Sequence, residues 1–148
     1  MYYFQIISFS FCLFVSFTYQ IRLVDDETYD QLMDAVESGI VVPFSRSPVQ
    51  RRVHELMRFN TFSIGKKLNM INGKFENMLL VLINGAYLIY PRSSENENII
   101  RHFYKTYKGE GARKLVQRIV DSYGGITRDS IQTLLNRDPD HCKKKSDF

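Results

Sequence analysis

From Asp25 onward, apolar positions recur at spacings that alternate between helical and extended. Leu32, Met33 and Val36 share one face of a segment that Asp25 or Asp26 can cap and Gly39 can end, which predicts a helix to about Ser38. Ser47-Pro48-Val49-Gln50 has the form of a capping box with proline at the first helical position. It predicts a helix from Pro48 to about Phe59, with Val53, Leu56 and Met57 as the inward stripe and His54 at its boundary. The middle of the chain reads as β-structure. Met78–Ile83 and Ala86–Tyr90 flank Asn84-Gly85, a pair suited to the positive φ angles of a tight hairpin turn. Asn72-Gly73, after Lys67–Ile71, predicts a second turn and so a small antiparallel meander, which Pro91 ends.

Beyond Glu97 the helical period returns. Ile99–Tyr107 forms one segment with Arg101, Lys105 and Lys108 along a face, and Gly109-Glu110-Gly111 breaks it. Ala112 to about Asp121 forms the next, with Leu115, Val116, Ile119 and Val120 inward. After Tyr123-Gly124-Gly125, Thr127 caps a third helix that places Asp129 in its first turn and buries Ile131, Leu134 and Leu135. The expected fold class is α+β: N-terminal helices, a small antiparallel meander with its hairpin at 78–90, and a three-helix C-terminal module. The expected divisions are an apolar segment at 1–19, an α+β region at 25–91 and the helical module at 95–145. A glycine turn between the last two helices gives a helix-turn-helix outline.

The segment before Gln20 differs from the rest of the chain. Met1–Tyr19 carries no charge and eight of the chain's 20 aromatic residues, and the first cation is Arg22. A secretory signal places a basic residue ahead of its apolar stretch, and a membrane span is less interrupted than one holding Gln5, Ser8, Ser10, Ser16 and Thr18. Three readings stay open: a poor signal or anchor, an apolar strand, or translated sequence foreign to the working domain, the last being favoured. The first would make the chain a small membrane-associated or secreted interaction protein.

Charge adds a direction. Residues 1–50 carry a net charge of −4 and residues 51–148 a net +8. Between Ile99 and Val120, Arg101, Lys105, Lys108, Arg113, Lys114 and Arg118 face only Glu110, a field that attracts a polyanion. The alternative is a solvated helix face. Two cysteines, at 12 and 142, cannot staple a fold of 148 residues, and the hydrophobic content of 44% excludes a disordered chain. No P-loop, Gly-x-Ser-x-Gly, His-Glu-x-x-His or Cys-x-x-Cys motif is present.

The order Ile100-Arg101-His102, Lys108-Gly109-Glu110-Gly111-Ala112-Arg113-Lys114-Leu115, Ile119, Tyr123, Ile126-Thr127, Ile131 and Cys142-Lys143-Lys144-Lys145 resembles the zinc-binding N-terminal module of retrotransposon integrases. The form it is most similar to is that of the host-resident relatives typified by KRAB-A domain-containing protein 2. The likeness covers roughly residues 77–145. It implies a two-histidine, two-cysteine zinc site in which His102 is the first histidine and Cys142 the second cysteine. Lys108 stands where the second histidine belongs and Pro139 where the first cysteine falls, with His141, Asp138 or Asp140 as substitutes. Tetrahedral zinc needs four nitrogen, sulfur or carboxylate ligands, so the expectation is a degenerate site without bound zinc.

Integrase strand transfer needs carboxylates converging on two metal ions in a catalytic core, and the chain reaches Phe148 three residues after the lysine run. The resemblance therefore implies a truncated, non-enzymatic fragment. It would bind DNA or another nucleic acid through phosphate contacts by Lys105, Lys108, Arg113, Lys114 and Arg118. The basic balance and the lysine run fit a nuclear location.

Overall fold

The computed structural model describes residues 20–40 and 47–137. Their order is α1 (Asp26–Ser38), α2 (Pro48–Phe59), β1 (Phe62–Leu68), β2 (Phe75–Ile83), β3 (Ala86–Ile89), a 3₁₀ turn (Ser93–Glu95), α3 (Asn96–Thr106), α4 (Ala112–Ser122) and α5 (Arg128–Arg137). The fold is α+β, with five helices and one antiparallel sheet in the order β1-β2-β3. Among the described residues no helix is long and apolar enough to cross a membrane. The apolar segment 1–19 lies outside them.

Both N-terminal helices form where their periodicity places them, but their first turns are closed differently. Asp25 takes the N-cap position of α1, yet its carboxylate accepts from the Thr28 hydroxyl instead of a backbone N–H. Ser47 takes the N-cap position of α2 with Pro48 behind it, without the side-chain capping bond that a capping box supplies. Proline at N1 leaves one fewer orphan donor at the start of the helix and fixes its φ there. At the far end of α1, Gly39 adopts φ 68° and its N–H returns to the Ala35 carbonyl at 3.1 Å, the left-handed stop that glycine permits without strain. Tyr29, Leu32 and Ala35 of α1 and Val53 and Leu56 of α2 are buried against the sheet.

The hairpin at 78–90 forms on Asn84 (φ 50°) and Gly85 (φ 80°), so Val81 faces Leu88 and Leu80 faces Ile89. The first strand departs from expectation: it runs Phe62–Leu68 and pairs Phe62 with Val81, and only Lys67 and Leu68 of the stretch expected at 67–71 belong to it. The remainder is turn, because the Asn69 side-chain oxygen captures the Ile71 N–H and removes it from any ladder. Phe62 and Ile64 share with Leu79 and Val81 the sheet face that α1 and α2 cover.

The chain leaving β3 is pinned to α1. Tyr90, fully buried, stacks on Tyr29 with 6.4 Å between ring centroids and meets the edge of Phe62 at 5.5 Å. Its hydroxyl donates to the Arg22 carbonyl at 2.6 Å. The Arg92 guanidinium lies 4.5 Å from the Tyr29 ring centre and pairs with Asp30, and Ser94 donates to Asp26 at 2.9 Å. Burial pushes the Tyr29 hydroxyl pKa above its ordinary value against the opposing pull of Arg92.

Ile99, Ile100, Phe103, Leu115, Val116, Ile119, Ile131 and Leu135 form a second core among α3, α4 and α5. α3 begins at Asn96, earlier than expected, because Ser93–Glu95 lead in as a 3₁₀ turn and Glu97 binds Arg101 one turn on. Thr127 caps α5 by accepting the Ser130 N–H at 3.2 Å.

The two cores meet at Tyr123–Gly125. Tyr123 bridges to Ile89 in parallel sense, and the Gly124 N–H donates to the Ile89 carbonyl at 2.8 Å. A Cβ on Gly124 would stand 2.4 Å from Val81 Cγ1. One on Gly125, at φ 89°, would stand 2.8 Å from Leu23 Cδ2. Leu23 packs against both cores. Replacing Gly124 with Ala should therefore destabilise the fold by about 1–3 kcal/mol through overpacking. Val81→Ala in the same chain should return part of that loss, so the two urea-unfolding penalties should sum to more than the double variant shows.

Candidate functional site

The basic positions gather where α3 turns into α4. Lys105 sits in the last turn of α3, where a cation favours the negative end of the helix dipole. Tyr107 closes that helix by donating its N–H to the Phe103 carbonyl at 2.9 Å. Gly109 then takes φ 103°, and Gly111 becomes the N-cap of α4. Arg113 and Lys114 occupy the first turn of α4, which holds no acidic residue. Cations there raise, instead of offset, the positive potential of the helix start. The burial of Leu115, Val116 and Ile119 fixes this orientation, because only the opposite face of α4 is left for charged side chains.

A clasp braces the corner. Arg118 donates from Nε and Nη2 to the two carboxylate oxygens of Glu110, both at 2.8 Å, and its guanidinium lies 4.2 Å from the Tyr107 ring centre. The Arg118 bond, aided by Lys114, holds the Glu110 carboxyl below the usual carboxylate range, and Glu110 in turn raises the pKa of Arg118. Arg118 thus differs from the other four basic residues expected to contact phosphate: its fork is already filled, and a phosphate would have to displace a carboxylate. Lys105, Lys108, Arg113 and Lys114 are exposed and form no ion pair among the described residues. Arg101, from the same charged window, is committed to Glu97 at 2.7 Å.

Sequence reasoning passed over Arg128. It starts α5, donates to the Gln117 side chain at 2.6 Å, and lines with Arg113, Val116, Asp129 and Gln132 a groove of about 320 Å³ between the starts of α4 and α5. The available signal was its position immediately after the Thr127 cap, at the start of a helix.

His102 is half-buried on α3. Its ring meets Phe103 edge-on at 6.2 Å, and Nε2 lies 3.5 Å from the Thr106 hydroxyl. Cys142, with Asp138, Pro139, Asp140 and His141, lies outside the described residues. Among the described residues no group of three or more His, Cys, Asp or Glu side chains could hold a metal ion. The chain matches no protein-family model, no curated protein and no solved structure.

The clasp has a defined pH signature. A carboxyl whose pKa is depressed by folding contributes stability above its unfolded pKa and loses it as pH falls through the folded value. Urea midpoints compared between neutral and acidic pH should show a smaller acid loss for Glu110→Gln than for the parent chain. An identical loss in both would mean that the clasp adds nothing to stability.

Proposed function

We propose that this chain is a binding module, not an enzyme, that associates with DNA or another nucleic acid through the basic corner between α3 and α4. The observation that carries the reading is the division of labour among the cations. Arg118 is spent on holding Glu110 and Tyr107, while Lys105, Lys108, Arg113 and Lys114 stand exposed around the braced turn. A polyanion gains from several exposed cations carried on a rigid backbone, because little backbone order remains to be imposed on binding. The resemblance to the integrase zinc-binding module supports the same reading, with the helices held by their apolar core whether or not zinc is bound. Contacts of this kind go to phosphates and carry little base information.

Fluorescence anisotropy of a labelled duplex over a salt series tests the proposal. With four phosphates neutralised, log K should fall against log salt with a slope of about −3.6, and affinity should vary little with duplex sequence. Reversing Arg113 and Lys114 to Glu should abolish binding at low salt while leaving the far-ultraviolet dichroism unchanged, and a chelator should have no effect. Affinity retained by the double reversal contradicts the assignment.

A further inference from the structure

The turn joining β1 to β2 bonds several of its polar groups internally. The Asn69 N–H donates to the Lys74 carbonyl and the Gly73 N–H to the Asn69 carbonyl, both at 2.8 Å. Asn69 Oδ1 accepts the Ile71 N–H at 3.0 Å, and Asn72 Oδ1 accepts the Lys74 N–H at 2.9 Å. The two asparagine amides then donate to Glu76, one to each carboxylate oxygen, at 3.1 and 2.7 Å. Those bonds hold the Glu76 carboxyl below the usual range, so the one acid of the tip stays ionised and is already occupied.

What this turn presents outward is apolar. Phe75 is 67% exposed, Ile71 47%, Leu68 43% and Met70 36%. Leu68 and Phe75 are register partners at the end of the β1–β2 ladder, and Met70 and Ile71 lie in the turn between them. Isolated exposed apolar residues are ordinary, but four large ones within eight residues at a single hairpin end are a concentration of the kind found at interaction surfaces. Lys66, Lys67 and Lys74 are exposed on the same hairpin end.

We propose that this tip docks on an anionic lipid surface, its four apolar side chains entering the headgroup–acyl boundary and its three lysines lying against the headgroups. The pairing of the two chemistries selects this occupant. A nucleic acid offers phosphates but no apolar layer to receive Phe75 and Ile71, whereas a bilayer boundary offers anionic groups and hydrocarbon within one side-chain length. The N–H groups of Asn69, Ile71, Gly73 and Lys74 are already bonded within the turn, which lowers the cost of approaching a boundary where an unpaired backbone group finds few partners. This site is separate from the basic corner on α3 and α4 and does not depend on the nucleic-acid reading.

The chain contains no tryptophan, so Phe75→Trp in the full chain places a single reporter on the tip. With vesicles of phosphatidylcholine and phosphatidylserine its emission should move to the blue and be quenched by brominated acyl chains. Phosphatidylcholine alone should leave it unchanged. Tyr87→Trp, on β3 away from the tip, should show neither effect. Adding Lys66→Glu, Lys67→Glu and Lys74→Glu should weaken the apparent vesicle affinity by at least about 100-fold, as the loss of three headgroup-facing lysines implies. An unmoved Phe75→Trp spectrum overturns the proposal, as does equal quenching at both positions, which would place the contact elsewhere in the chain. A blue shift that grows with protein concentration without lipid also overturns it, and assigns the tip to a second copy of the chain.

Discussion

The close seat of Gly124 and Gly125 on the sheet is the constraint that organises the structure. At Gly124 the backbone lies where a methyl group would overlap Val81, and at Gly125 where one would press on Leu23 and Tyr90. The Gly124 N–H is bound to the Ile89 carbonyl, and Tyr123 runs beside β3 as a short extension of its ladder. Two glycines are needed for different reasons: the first for approach, the second for its left-handed φ as well. Around this point Leu23 and Tyr90 link the segment before α1 to both cores, so the three C-terminal helices are attached to the sheet by packing and hydrogen bonding, not by connection alone. The direction in which α4 leaves the sheet, and with it the placing of Arg113 and Lys114, is set by that attachment.

Local signals were legible wherever one interaction dominates. Asn84-Gly85 fixes its hairpin because both residues must take positive φ. The stripes of α1, α2, α4 and α5 fix their buried faces because few alternatives bury as much apolar surface. Less legible were features that depend on partners far along the chain. Phe62–Gly65 alternates apolar with small or polar residues over only four positions, too few to mark a strand alone, and becomes one by pairing with Met78–Val81. Tyr123-Gly124-Gly125 reads as a simple turn, and its role as a seat exists only once β2 and β3 are in place. The Asp25 and Ser47 caps were placed correctly by residue type, while their hydrogen bonds were not, since several local geometries suit a short polar side chain.

The candidate site was legible as composition and only partly as geometry. Counting cations between residues 99 and 120 finds the positive field, but it treats Arg118 and Lys114 as equivalent. The fold separates them, because Glu110 lies within reach of Arg118 across the turn and Tyr107 supplies the face on which the guanidinium rests. A related arrangement appears at the β1–β2 turn, where the Glu76 oxygens are held by two asparagine amides, so the acid keeps its charge but forms no direct ion pair with the nearby lysines among the described residues. In both places an acid that looks in the sequence like a partner for the nearest lysine has its oxygens bonded to other residues that brace a turn.

Native-state hydrogen exchange at the Gly124 amide tests most directly whether one seat unites the two cores. That N–H is bonded to Ile89 at the junction, so if the seat holds, it should exchange only through global opening. Its opening free energy should then equal those of the Val81 amide in the sheet and the Ile119 amide in α4. Exchange at Gly124 through a markedly smaller opening, with Ile119 sharing it while Val81 stays protected, would contradict the account: the helical module would then come away from the sheet as an independent unit.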